Sequence, residues 1–320
     1  MLPNLVNIAV IILTHGWFCR LQNPPGRYIS KTLNQTTMQQ PKTALITGGN
    51  DGIGKATATE LARRGMRVII ACRNEEKARQ AIRDIQQEGG ERQAAFLPCD
   101  LASFGSIRET ARLYQSQFGP LDVLINNAGI FTSQLEYTKE GFELQFGVNH
   151  LGHFLLTHLL MDSLKQAGAP RVVNVSSIAY LRGQIDFGNL RGEKGPGQYE
   201  GMKAYAQSKL ANVLFTRELA RRHPKINAYA LHPGPVRTRI GNKHSNWFTS
   251  LGWHLLKIFM VSPKKGAKTS VYLATSPEVE GAGGQFFDDK QRQRTLSEAA
   301  RDEGLGRRLW EASEEVAASK

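Results

Sequence analysis

From Lys42 onward the chain alternates between two apolar patterns. Short runs rich in β-branched residues read as buried strands: Thr43–Thr47, Arg67–Cys72, Ala94–Pro98, Asp122–Asn126, Arg171–Ser176, Ile226–His232 and Gly284–Phe287. Between them lie longer stretches with apolar residues at helical spacing, over Gly54–Gly65, Glu75–Glu88, Ser103–Phe118, Gly141–Ala167 and Ala204–Arg222. Strand and helix in strict alternation predict βαβ units and a parallel sheet. The pattern therefore predicts one α/β domain over about 41–289, a mostly parallel seven-stranded sheet with helices on both faces. A polar helical tail follows, over 290–320, with its helix at Leu296–Ala317. No internal repeat and no linker marks a second domain.

The first 37 residues break the pattern. An apolar run from Leu5 to Leu13 is too short to span a bilayer as a helix. No Lys or Arg precedes it, and no clear small-residue cleavage site follows. A weak membrane anchor and a signal-like segment remain open readings of this extension. The plainest reading starts the protein at Met38, because MQQPKTALITGG runs almost directly into the first strand.

Composition changes the picture little. Three cysteines, Cys19, Cys72 and Cys99, are too few and scattered for a disulfide framework, and no C-x-x-C spacing suggests zinc. A reducing compartment follows, so the expected location is the cytoplasm, with association to a membrane surface as an addition. The net charge of +13 invites nucleic acid as a partner, but the basic residues are spread out, with no arginine-rich tract. One stretch stands apart: from Leu231 to Pro277 there are seven Lys/Arg and no acid.

Directly after the first strand comes Thr47-Gly48-Gly49-Asn50-Asp51-Gly52-Ile53-Gly54, opening into a helix. Glycines between a strand and a helix let the backbone approach a pyrophosphate, which sits on the positive helix N-terminus. The second strand ends Ala71-Cys72-Arg73-Asn74, with no carboxylate before Glu75. A carboxylate there would accept from the ribose 2′-hydroxyl of NAD(H); Arg73 suits the 2′-phosphate of NADP(H) instead, so NADP(H) is expected and NAD(H) less favoured. Asp51 argues the other way if its side chain turns toward that phosphate.

With these residues in place, the chain resembles the short-chain dehydrogenase/reductase superfamily. TGGNDGIG looks like its T-G-x-x-x-G-x-G element. The likeness continues through Asp100, Asn126-Asn127-Ala128-Gly129, Asn149 in FGVNHLGHF, Ser176-Ser177, Tyr205/Lys209, and Pro233-Gly234 with Thr238 in HPGPVRT. These landmarks cover about residues 42–288 in the family's order. NHLGHFLLTHLL and AYAQSKLANVLFTREL look like the branch of retinol dehydrogenases and protochlorophyllide reductases. The resemblance implies a Rossmann-type, doubly wound fold. It also implies cofactor contacts at Thr47, Gly48, Asn50, Gly52, Ile53, Gly54, Arg73, Asp100, Asn126, Ala128, Gly129, Tyr205, Lys209, Pro233, Gly234, Val236 and Thr238.

The spacing Tyr-x-x-x-Lys occurs twice, as Tyr199/Lys203 and Tyr205/Lys209. Gly195, Pro196, Gly197 and Gly201 disfavour a helix around the first pair, and without a helix the i,i+4 alignment is lost. Tyr205 and Lys209 begin a good helical run, so they are the expected working pair, and Tyr199 is expected in a loop near the substrate entrance. In this scheme Tyr205 exchanges a proton with the substrate oxygen, and Lys209, one turn away, favours its phenolate. Ser177 hydrogen-bonds the substrate oxygen, while Ser176 faces away. By the family pattern Asn149 holds a water that links Lys209 to solvent; the plainer alternative is a structural hydrogen bond to neighbouring backbone.

His150, His153 and His158 tempt a metal reading; His150 and His153 stand i,i+3 on one helix, but no third ligand or carboxylate partner is apparent, so packed or helix-face histidines are expected and the chemistry needs no metal. Residues 182–202 form a Gly-rich substrate-side loop, and 241–265 fall where a lid would sit. The stretch Asn246–Met260 is apolar nearly all round a helix, with Lys264 and Lys265 beyond it. It can cap a greasy pocket or, across 246–265, lie in a membrane surface. A buried core helix is the third reading. The expected function is an NADP(H)-dependent oxidoreductase for a small apolar carbonyl/alcohol pair of retinoid, polyprenoid or long-chain aldehyde type. The alternative is a catalytically silent dinucleotide-binding sensor. No nucleic acid is expected as a partner; helices at the sheet edges leave a homo-oligomer open.

Overall fold

The computed structural model describes residues 41–89, 94–235 and 262–318. The expectations for residues 1–37, for Val236 and Thr238, and for all but the end of the 241–265 lid fall outside the described residues.

Strands β1 (Thr43–Thr47), β2 (Arg67–Cys72), β3 (Ala94–Pro98), β4 (Val123–Asn126), β5 (Arg171–Val175), β6 (Asn227–Leu231) and β7 (Gln285–Phe287) pair in parallel, in the order β3-β2-β1-β4-β5-β6-β7. Because β1 lies between β2 and β4, the winding direction reverses there. A crevice therefore opens at the carboxyl ends of β1 and β4.

Strands covered on both faces read as near-continuous apolar runs, and β1, β4 and β5 are buried at every residue, with buried Asn126, Arg171 and Asn174 hydrogen-bonded. Their period of two divides the core. Leu45, Ile69, Leu124 and Val172 point to one face, with Ile107, Phe154, Leu214 and Trp310. Ala44, Ile46, Val68, Ile70, Ile125 and Val173 point to the other, with Leu61, Ile85 and Leu273. The first layer is built by helices α3 (Phe104–Gln117), α5 (Gly152–Leu159), α7 (Gly201–Arg222) and α10 (Glu303–Ala318). The second is built by α1 (Gly52–Arg63), α2 (Glu75–Gly89) and α8 (Pro263–Thr275).

Four features depart from the sequence pattern. The stretch 141–167 is not one helix: a short turn α4 (Leu144–Phe146) leads into a π-turn, Gly147–Leu151, then α5 and α6 (Met161–Lys165). The C-terminal stretch is not simply a polar helix. It adds an antiparallel eighth strand, β8 (Gln293–Arg294), and short α9 (Glu298–Arg301), and α10 buries Leu309 and Trp310 against Phe154 and Phe215. Helix α7 starts one turn early, at Gly201, where a Cβ would lie 2.2 Å from the Thr132 carbonyl oxygen; close backbone approach, not helix breaking, explains the glycine. Finally, α8 begins inside the expected lid range and packs on α1, and its Lys264 ammonium lies 3.6 Å from Glu88. Among the described residues no helix is long and apolar enough to cross a membrane.

Candidate active site

The crevice at the switch point is built from the residues that end β1, β4, β5 and β6. Gly48, at φ +65°, turns the chain out of β1 with its α-carbon side against Ala128. A Cβ on Gly54 would sit 2.3 Å from the Gly48 carbonyl oxygen, so glycine is what lets α1 start directly beneath the loop. Gly52 (φ +55°) and Ile53 form the first turn of α1, and half-buried Asn50 precedes them. A twelve-residue helix thus aims its free amides into the crevice, a cradle that suits a pyrophosphate. Asp51 caps this helix, accepting from the Gly52 amide at 2.7 Å. Arg73, exposed at the end of β2, lies 4.0 Å from Asp100 at the end of β3. Pro233 and Gly234, the latter at φ +75°, close the crevice after β6. These residues fit a dinucleotide.

Beside the cradle stand the groups that can move a proton. Half-buried Tyr205 and Ser177 face each other, and their hydroxyl contact favours the phenolate while burial of the phenol outweighs it, leaving the Tyr205 pKa raised. Phe131 meets the phenol ring edge-on at 5.8 Å. Lys209 is buried, and burial lowers its pKa from 10.5 to about 8. Its ammonium donates to the Val175 carbonyl at 3.1 Å and lies 5.5 Å from the Tyr205 ring centre. The carbonyl of β5 holds the ammonium beneath the ring with no hydrogen bond to the phenol oxygen, a separation at which a cation still favours the phenolate through space. Gly129 faces this ammonium, and a Cβ there would come within 3.4 Å of it.

Comparison with known proteins bears on this geometry. A family model described as short chain dehydrogenase matches residues 42–248. The chain belongs to this family. Within it, the chain sits in the retinol dehydrogenase branch. It is 43% identical to human retinol dehydrogenase 11 over 290 residues, covering 90% of this chain and 89% of the relative. It is 45% identical to human retinol dehydrogenase 13 over 282 residues, covering 85% and 83%. A crystal structure of an uncharacterised protein from Mycobacterium paratuberculosis superimposes with TM-score 0.67 at 35% identity, covering 88% of this chain and 97% of that one. A Shigella flexneri short chain dehydrogenase crystallised with NADP shares the fold, with TM-score 0.62 at 24% identity and coverage of 78% and 97%.

In this short chain dehydrogenase, three expected site residues turn their side chains inward. Thr47 is fully buried, and its hydroxyl oxygen accepts from the Asn127 and Ala128 amides at 2.9 and 3.0 Å. Asn126 is buried between strands and donates to Thr157 Oγ1 and Asn174 Oδ1. These two side chains present almost no surface to the crevice. Asn149 is fully buried: its Oδ1 accepts from the Ile130 amide at 2.8 Å, and its Nδ2 donates to the Ile130 carbonyl and Ser208 Oγ. Its side chain makes the structural hydrogen bonds to neighbouring backbone that the plainer alternative expects. The π-turn carries it there.

The remaining expectations resolve simply. Ser176 is buried and donates to the Lys209 carbonyl at 2.8 Å, anchoring α7 to β5. Tyr199 donates to buried Glu143 at 2.7 Å and accepts from Gln145, which ties the 182–202 loop to the turn before Asn149. His150 pairs with Ser313 on α10 among aromatic rings, and burial lowers its pKa to about 3. No group of three or more metal-ligating side chains occurs among the described residues. Sequence reasoning missed Phe131, which has no motif, and the role of His153. The latter had a signal, since it stands one turn after Asn149 on the same helix face.

Proposed function

We propose that this short chain dehydrogenase is an NADP(H)-dependent oxidoreductase for an apolar carbonyl/alcohol pair, with Tyr205 as general acid/base. A bound nicotinamide supplies the hydride acceptor or donor; the protein orients it and manages one proton. Tyr205 gives its hydroxyl proton to the substrate oxygen in reduction and removes the alcohol proton in oxidation. Ser177 donates to the same oxygen and holds its developing charge. Lys209 places a cation on the crevice floor beneath Tyr205, where a wall of glycine leaves room for the cofactor's ribose. Arg73 pairs with a 2′-phosphate, in competition with Asp100.

The observation that carries this reading is the buried ammonium of Lys209 behind the Tyr205–Ser177 pair. A charge held where burial disfavours it, set behind a phenol–hydroxyl pair, is expected at a working site, and a silent sensor has no need for the whole set. The substrate class is supported by exposed Ile178 and Leu181, which follow Ser177, and by Met202, just before Tyr205, together with the names of the retinol dehydrogenase relatives. The test follows reduced-nicotinamide absorbance with NADPH and NADH against retinal, long-chain aldehydes and simple ketones. NADPH-dependent turnover of an apolar member, lost in Tyr205→Phe, is expected. Tight NADPH binding without turnover across the panel would favour the sensor instead.

A further inference from the structure

The loop Asn127-Ala128-Gly129-Ile130 forms the wall that faces Lys209, and it is gripped at both ends. At its start, Thr47 Oγ1 accepts from the amides of Asn127 and Ala128. At its end, Asn149 holds both the amide and the carbonyl of Ile130. The two grips sit on different elements, one on β1 and one on the π-turn. A single side chain touches both. His153 Nδ1 lies 3.0 Å from the Asn149 carbonyl oxygen, and its Nε2 lies 2.9 Å from Thr47 Oγ1.

The bonding assigns the tautomer. A carbonyl oxygen can only accept, so Nδ1 carries the proton and donates to Asn149. In a neutral ring Nε2 then accepts, and the hydroxyl proton of Thr47 is free to point at it, since the Thr47 oxygen already takes the two loop amides. The ring is buried, and burial with the nearby Lys209 charge lowers its pKa to about 4, so it is neutral at physiological pH. A second carbonyl, that of Ile125, lies 3.4 Å from the same hydroxyl, a longer and weaker alternative.

We propose that His153 is a positioning residue that couples the two grips, so that the face Gly129 presents to Lys209 is set jointly by the phosphate-loop strand and the π-turn. This rests on reading the crevice as the hydride-transfer site. In the unligated imidazole both ring nitrogens are committed to the bridge, which leaves none for a metal or a proton relay. The bridge fixes the distance between the wall of the crevice and the ammonium without touching substrate.

Residue-resolved amide hydrogen exchange on the full-length chain tests the coupling without needing turnover. His153→Asn can keep the donor to the Asn149 carbonyl while losing reach to Thr47. His153→Gln can reach Thr47 while giving up the Nδ1 donor. One hydrogen bond lost should speed exchange about tenfold at the severed end, Asn127 and Ala128 in the Asn variant and Ile130 in the Gln variant, and by a smaller factor at the opposite end, which the bridge no longer holds. His153→Leu should loosen all three amides together. In the same Leu variant kcat should fall about tenfold with substrate KM within about twofold, since the alignment matters most in the transition state. A role confined to stability would lower Tm and leave both the exchange pattern and kcat of the folded enzyme unchanged, and that result overturns the proposal. Should His153→Leu fail to fold, the Asn and Gln variants decide: exchange that changes only at the severed end, or at neither, overturns the coupling. Absence of turnover in the unmodified enzyme would sink the reading of the site, while the exchange data would still judge the bridge.

Discussion

The two Tyr-x-x-x-Lys pairs share a spacing and little else. Tyr199 precedes α7, and its hydroxyl is consumed by Glu143, Gln145 and Thr132, with its pKa driven up by burial and the neighbouring carboxylate. Lys203 is exposed and pairs with Glu200. Tyr205 stands on the first turns of the same helix with no carboxylate bonded to its phenol, and Lys209 is buried one turn below. What separates them is environment. A phenol fully engaged by a carboxylate acts as a clamp, whereas one that faces a serine hydroxyl at the mouth of a crevice can trade a proton.

The largest expected effect breaks this comparison directly. Tyr205→Phe should lower turnover by about a hundredfold to ten-thousandfold, the usual worth of a positioned acid/base. Tyr199→Phe should leave turnover of the folded enzyme nearly intact and lower unfolding free energy by about 1.5–3 kcal/mol, because Glu143 loses a charge-assisted bond. Paired kinetic and denaturant measurements check both.

Lysine should divide in the same way, in stability as well as activity. Burial lowers the Lys209 pKa from 10.5 to about 8, so the folded state opposes the charge. Below pH 8 both folded and unfolded chains carry the proton and the penalty is complete; it fades as pH rises from about 8 to 10.5. Lys209→Met should therefore abolish activity yet raise stability at pH 7 by up to about 3 kcal/mol, a gain that shrinks through that window. Lys203→Met should change stability by less than about 0.5 kcal/mol, as expected of an exposed ion pair. Urea titrations from pH 6 to 10.5 measure both.

Smaller effects concern the cofactor end. Arg73→Ala should weaken NADPH binding about tenfold and leave NADH binding within about twofold, consistent with the loss of one charge-assisted contact. Asp51→Ser keeps a cap on α1 and removes a carboxylate from beside the cradle. It should tighten NADPH by a factor of about two to five, an amount typical of a helix-terminus charge, and less so at high salt. Fluorescence titration with both cofactors resolves the two variants.

The parallel sheet was legible because its strands are buried on both faces and so read as nearly continuous apolar runs. The breaks in 141–167 were not, since a single π-turn alters the helical spacing by about one residue, too little to mark in a short apolar pattern. Strand β8 has only two residues, and the burial of Trp310 depends on partners distant in sequence, Phe154 and Phe215. At the site, the order of motifs named Gly48, Gly54, Tyr205 and Lys209, which the structure brings to one crevice. It could not say which way Thr47, Asn126 and Asn149 turn, because that depends on which backbone groups need partners. The distance from Lys209 to the phenol was likewise set by a tertiary contact, the Val175 carbonyl.

The most direct test of the central claim is the pH dependence of kcat/KM in both directions, with NADPH and retinal and with NADP and retinol, in the unmodified enzyme and in Tyr205→Phe. If Tyr205 moves the proton, reduction loses rate as pH rises through its pKa, because the phenol must be protonated. Oxidation gains rate over the same range, because the phenolate is the base. Both limbs should vanish from the residual activity of Tyr205→Phe. Limbs that run in the same direction, or that persist unchanged in the variant, would contradict the assignment of Tyr205 as the acid/base.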